Sequence, residues 1–304
     1  MSTLALPKLY GVPLSQPFRS VAWALLQRQV KFDIQVVVPG ATNAMGSRHE
    51  TFVRKTHGRS SKIPVYEEDL PIDNSSSSNN INRLTISESP AILMYLCENR
   101  GWTDWYPSSS SSESSELPFS SSASRILIKT RIDSYLHWHH AGTRELMHLT
   151  RPYLRPEEGK AAPTDEDRAA AQAVWHQLEQ GWLNHDNNNG QEVVHLPGPF
   201  IAGTLSPTIA DFLAYEEVVQ ATVLGGLDWS SAQDDYPHLT AWMDRMKQLP
   251  YYDAVHAGLY RLGNVVEQPT ATTNNLPLGK RLAVATKEGL KAIQEAQQSY
   301  SSEL

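Results

Sequence analysis

Phe18, Val21, Ala22, Leu25 and Leu26 follow the i, i+3, i+4, i+7, i+8 spacing of one buried helix face, just after a short strand-like stretch from Lys8 to Gly11. Pro17 suits the first helical turn, where a missing N–H costs nothing, so the pattern predicts strand, turn and a helix from Pro17 to Gln29. Phe32 to Val38 is apolar and β-branched and reads as a second strand, completing a βαβ unit. A polar helical stretch from Met45 to Thr56, strands at Ile63-Pro64-Val65-Tyr66 and Arg83-Leu84-Thr85-Ile86, and a helix from Glu88 to Asn99 follow. Beyond them long helical patterns take over: Ser124 to Leu149, Thr164 to Asn184, Thr208 to Gly225, Pro237 to Gln248, Tyr251 to Leu262, and an amphipathic terminal helix from Gly279 to Tyr300.

This order is that of a thioredoxin-like domain followed by an all-helical one. Two low-complexity tracts interrupt it. Asp73 to Asn80 is Asn/Ser-rich and belongs in a lengthened hairpin loop, and Ser108 to Ser124 is Ser-rich and falls between the two patterns. The expected division is residues 1–107, a linker at 108–123, and a helical domain at 124–304.

Composition narrows the class. The 304 residues are 40% hydrophobic, and the net charge of −7 with no dense Lys/Arg stripe argues against nucleic acid as partner. No basic and apolar leader and no apolar run near 18 residues occurs, so neither a signal peptide nor a membrane helix is expected. The single cysteine, Cys97, excludes an intrachain disulfide and suits a reducing, cytoplasmic compartment. The terminal Ser302-Glu303-Leu304 has an acid where a peroxisomal tripeptide has a base.

Candidate chemistry centres on Ser15, at or just before the N-cap of the first helix. Unpaired amides and the helix dipole favour negative charge there, a phosphate or a thiolate alike. The residue by itself reads first as a plain helix cap, a role compatible with the other. The segment Leu9 to Val21 closely resembles the active-site loop of theta-like, serine-type glutathione transferases. Lys62-Ile63-Pro64-Val65 resembles the family's cis-proline segment, Glu88-Ser89 with Ala91, Ile92, Tyr95 and Leu96 its γ-glutamyl turn and helix, and Thr208-Ile209-Ala210-Asp211-Phe212 its capping box. Together they span most of the chain up to Leu262.

The resemblance implies the family's two-domain fold, glutathione as co-substrate with no resident cofactor and no metal, a homodimer, and conjugation to small hydrophobic electrophiles such as halides and epoxides, with peroxidase activity as an extension. It assigns Ser15 as the hydroxyl that donates to glutathione sulfur. Ile63, before Pro64, would pair with the cysteinyl backbone, Glu88 and Ser89 would hold the γ-glutamyl group, and His49, Arg48 or Lys62 would meet the glycyl carboxylate. Thr56-His57-Gly58-Arg59 replaces the family's asparagine-proline pair, so these three bases stay open. Tyr10 is the competing hydroxyl, since tyrosine-type members carry theirs near this strand. His137-Trp138-His139-His140 puts two imidazoles at i, i+3 but lacks a carboxylate or cysteine to complete a metal site. Asp133 resembles an acid that some family dimers extend to the partner subunit. A non-catalytic interaction module of the same fold is the alternative reading, and the terminal helix is expected to lid the site.

Overall fold

The computed structural model describes residues 5–70, 82–108, 122–155, 162–185, 198–225, 234–266 and 277–300. The two low-complexity tracts, Asp73 to Asn80 and most of Ser108 to Ser124, lie outside the described residues. Four strands form one sheet in the order β2-β1-β3-β4, with β1 (Lys8–Gly11), β2 (Asp33–Val36), β3 (Val65–Leu70) and β4 (Asn82–Ser87). Leu9 pairs with Ile34 in parallel and with Tyr66 antiparallel, and Val65 pairs antiparallel with Ser87. The mixed sheet, with α1 (Gln16–Gln27), α2 (Glu50–Lys55) and α3 (Ser89–Arg100) between and after its strands, is the thioredoxin-like arrangement, followed by helices only.

Helix α1 is the joint of the molecule. Every residue from Phe18 to Leu26 is buried, because one side faces α3 and the other faces helices of the second half. Those are α4 (Ser122–Trp138), α5 (Arg151–Leu154), α6 (Asp165–Gln177), α7 (Ile209–Gly225), α8 (Pro237–Lys247), α9 (Tyr252–Leu262) and α10 (Leu278–Ser299). α7 is buried on all sides, which explains its nearly continuous apolar sequence. Trp23 of α1 sits edge-on to Phe212 and Tyr215 of α7 and to Tyr252 and His256 of α9. Such contacts contribute ~1 kcal/mol each beyond burial, so the two halves share one core.

Two long helices expected from periodicity are broken. The pattern from Ser124 to Leu149 stops being α-helical after Trp138 and resumes as a 3₁₀ segment, Thr143–Leu149. The Trp138 indole folds over Gly142, where a Cβ would lie 2.2 Å from the ring. The Thr143 hydroxyl then bonds both the Tyr135 hydroxyl at 2.9 Å and His139 Nδ1 at 3.1 Å. The pattern from Thr164 to Asn184 ends in a π-helical turn, Leu178–Leu183, which turns buried Glu179 toward the start of α8. There it accepts from the N–H groups of His238 at 3.1 Å and Leu239 at 2.7 Å, capping a helix whose own N-cap side chain does not. The stretch from Met45 is helical only from Glu50 to Lys55.

Candidate active site

A cleft of about 930 Å³ opens between the sheet-bearing half and the helices. Ser15, Lys62, Ile63, Pro64, Glu88 and Ser89 all line it. Ser15 is the N-cap residue of α1, with extended backbone, yet its side chain makes no capping bond. Its backbone does the structural work instead, donating to the Val12 carbonyl and accepting from Arg19 N–H, both at 3.0 Å. The hydroxyl is therefore not spent on its helix.

Helix α3 repeats the arrangement. Its N-cap, Glu88, also makes no side-chain cap, and Ser89 is buried at the first turn. Two helix starts without a side-chain cap thus meet the same cleft, an arrangement that favours anionic groups. Glu88 holds φ at +71°, in the left-handed region that costs a non-glycine residue ~1–3 kcal/mol, so the surrounding structure fixes its backbone against an intrinsic preference. Ile63-Pro64 is a cis peptide bond. Arg48, Lys62, Arg144, Arg151, Arg155 and Lys287 bring positive charge to the walls of a chain with net charge −7, and Glu88 is the carboxylate among the lining residues.

The other candidates stand elsewhere. His49 caps α2, its Nδ1 accepting from Thr51 N–H at 3.4 Å, and is absent from the lining, while its neighbour Arg48 is part of it. Tyr10 lies in a small apolar cluster with Val12, Phe52, Ile63 and Val65, its ring 4.8 Å from the Lys55 ammonium, and does not line the cleft. Cys97 is buried in α3, and burial pushes its thiol up, out of the reactive range. Asp133 accepts from the Tyr106 hydroxyl at 2.7 Å, an internal tie between α4 and the segment before it. No cluster of three or more metal-ligating side chains occurs among the described residues.

His139 and His140 line the cleft, but His137 is turned away and bonds the Asp133 carbonyl at 2.8 Å. Burial, with Arg144 and His140 nearby, pushes His139 down to about 3. The ring is neutral in the fold and would bind a proton in the unfolded chain near the ~6.5 of free histidine. Stability then falls as pH drops through that window, by ~1.4 kcal/mol per unit, or roughly 3 kcal/mol from pH 6.5 to pH 4 from this group alone. Urea unfolding at a series of pH values should show this slope, and His139→Asn, which keeps a polar atom for Thr143, should flatten it. An unchanged slope in the variant would assign the acid sensitivity to other groups.

The helical half adds Met147, Leu154, Leu224 and Leu262, with Leu282 and Leu290 from α10, to the apolar lining that Val12, Leu14, Val36 and Val38 begin on the other wall. The helical period of the terminal helix places Leu282, Ala285, Leu290, Ile293 and Ala296 near one stripe. Ala285 and Ile293 are buried, Leu282 and Ala296 pack against the main core, and Leu282 and Leu290 line the cleft, so α10 both docks and roofs. Sequence reasoning missed Arg144, Arg151 and Arg155 as lining residues, because the break at Gly142 that swings them inward leaves no trace in the helical period. Among the described residues no helix is long and apolar enough to cross a membrane.

No family model matches the chain. It is 24% identical over 265 residues to the Arabidopsis thaliana protein glutathione S-transferase T3, a match covering 84% of this chain, and it spans about a third (37%) of that relative's length. Human glutathione transferase theta-2, solved in complex with glutathione, superposes with a TM-score of 0.61 at 20% identity, covering 96% of this chain and 98% of that one. The apo form of human glutathione S-transferase T1-1 gives 0.59 at 18% identity, covering 94% and 99%. Sheet order, helical half and these superpositions agree: the chain has the glutathione transferase fold, and theta-class transferases are what it is similar to in sequence and structure.

Proposed function

We propose that this chain is a serine-type glutathione transferase, residues 1–107 binding glutathione and residues 124–304 the electrophile, joined by a linker at 108–123. One observation carries the reading: Ser15 stands at a helix N-terminus on the cleft wall with its hydroxyl unused by the helix cap. The thiol of glutathione has a pKa near the ~8.5 of free cysteine, so a site working at neutral pH must favour the thiolate. A hydroxyl donating to sulfur, beside the positive end of α1, supplies that preference. Ile63 offers its backbone N–H and C=O to the cysteinyl unit, as in strand addition. Ser89 and the amides of α3 take the γ-glutamyl carboxylate and Glu88 its ammonium, while Lys62 and Arg48 face the glycyl carboxylate.

The thiolate then attacks an electrophile seated against Met147, Leu154, Leu224, Leu282 and Leu290, forming a carbon–sulfur bond as the leaving group departs or an epoxide opens. A peroxide in the same place would run the peroxidase reaction. The protein acts as a homodimer with an active site in each subunit. Calorimetric titration with glutathione, followed by an activity screen against alkyl halides, epoxides and hydroperoxides, tests the reading. Micromolar-to-millimolar binding with turnover of at least one electrophile class is the expected result. Absence of glutathione binding would refute it and leave the non-catalytic module of this fold.

A further inference from the structure

The turn that carries Ser15 is gripped from two sides. Ser15 N–H bonds back to the Val12 carbonyl, which leaves Pro13 and Leu14 as the corner of the turn. On its inner side Arg19, fully buried, donates from Nη1 to the Pro13 carbonyl at 3.2 Å. The same guanidinium is anchored in α7, on Glu216 Oε2 at 2.5 Å and Gln220 Oε1 at 3.1 Å. On its outer side stands Gly289 of α10, where a Cβ would lie 2.7 Å from Pro13 Cβ and 3.2 Å from Pro13 Cγ.

The backbone of α10 approaches this closely because Gly258 of α9 receives it from behind. A Cβ on Gly258 would lie 2.7 Å from the Ala285 carbonyl oxygen and 3.3 Å from Gly289 Cα. Nor can α10 easily retreat. At its start Arg281 donates to the carbonyls of Leu262 at 2.7 Å and Asn264 at 2.9 Å, and at its end the Tyr300 hydroxyl donates to the Leu26 carbonyl at 3.0 Å. Gln297 accepts from Phe32 N–H at 2.8 Å. With the helix held at both ends and from behind, the Pro13 turn is the part that yields to any added atom.

We propose that Gly289 is a positioning residue for Ser15: the bare backbone of the terminal helix fixes Pro13, and through it sets where the Ser15 hydroxyl meets the glutathione sulfur. The inference rests on the serine reading above. Gly289 itself is not on the cleft lining, so it acts only through the turn. Gly289→Ala must displace Pro13 by roughly half an ångström, and a hydrogen bond to a thiolate depends steeply on such distances.

The test measures the thiol pKa of bound glutathione from its ultraviolet thiolate band, alongside glutathione affinity, the pH profile of kcat, and the melting temperature. Gly289→Ala should raise the bound thiol's pKa by about one unit, lower kcat about tenfold on the acid side with recovery at high pH, and leave glutathione affinity measured near pH 6 within about twofold. In the double variant Ser15→Ala/Gly289→Ala the pKa should equal that of Ser15→Ala alone, because a residue acting through the hydroxyl has nothing left to act on. If Gly289→Ala does not fold, Pro13→Ala loosens the same contact from the other side and should raise the pKa in the same direction. A lower melting temperature with an unchanged thiol pKa, or additive shifts in the double variant, would overturn the positioning role. A Ser15→Ala that leaves the pKa alone would instead sink the serine reading itself.

Discussion

Ser15→Ala should lower turnover about a hundredfold near pH 6, where most bound glutathione is the neutral thiol, while glutathione affinity there changes by less than about twofold. A hydrogen bond to a thiolate next to a helix N-terminus is worth ~2 pKa units, or ~3 kcal/mol between the two protonation states. That energy is absent from the neutral thiol, so its loss falls on kcat and spares binding. The deficit should shrink as pH rises, because above the shifted pKa the variant's glutathione ionises unaided. Folding should be nearly unaffected, since the side chain makes no cap bond that alanine would remove. Tyr10→Phe is the matched control. Its ring packs against Phe52 and Lys55 away from the cleft, so kcat should stay within about twofold. Kinetics across pH 6 to 9 on both variants decide it, and the reverse pattern would transfer the role to Tyr10.

The N-terminal half was legible because its signals are local. Pro17 before an apolar helix face, the β-branched run at β2 and the Glu88-Ser89 helix start each follow from a few neighbouring residues, and their elements stand where the patterns put them. What the pattern could not show depends on contacts between distant segments. The break after Trp138 is set by an indole lying over Gly142, and the π turn by a carboxylate reaching α8 some sixty residues on. His49 is of a residue type that suits a glycyl carboxylate, but its Nδ1 is occupied in capping α2, a role that ligand chemistry and helix chemistry share. Basic side chains from α5 and α10 reach the cleft only through the packing of whole helices, so no sequence window contains them together.

Arg19 shows the same limit from inside the core. It stands outside the apolar stripe of α1 but in the stretch that is buried all round, and its guanidinium is matched by Glu216, Gln220 and the Pro13 carbonyl. His256 completes the group, its Nε2 at 3.1 Å from Glu216 Oε1 and its Nδ1 at 2.8 Å from the Tyr252 carbonyl. The nearby carboxylates diverge accordingly. Glu216 is lowered by Arg19 and His256 against the pull of burial, whereas burial wins at Glu217 even though Arg144 sits 2.6 Å away. A buried ion pair of this kind specifies one docking of α1 on α7 more than it adds stability.

The largest loss of stability should come from Asp211. Burial raises its carboxyl, yet four donors converge on it: Ile201 N–H at 2.9 Å, Thr208 N–H at 2.8 Å, the Thr208 hydroxyl at 2.9 Å and Trp242 Nε1–H at 2.9 Å. These come from the loop before α7, from the residue that opens α7, and from α8, so one side chain closes three segments over the core. The expected Thr-x-x-Asp box is therefore present in one direction, with the second oxygen extended to partners that a local motif does not name. Asp211→Ala strands three buried N–H groups at ~1–3 kcal/mol each, a total of roughly 4 kcal/mol or more against an overall stability of ~5–15 kcal/mol. For a chain of this size that is a fall of ~10 °C or more in melting temperature, with poor recovery of folded protein. Asp211→Asn keeps the shape and one acceptor and should lose about half as much, and because position 211 is not on the cleft, glutathione affinity of the folded fraction should not change. A drop of less than ~3 °C in Asp211→Ala would mean that the loop, and not the carboxylate, holds α7 and α8 together.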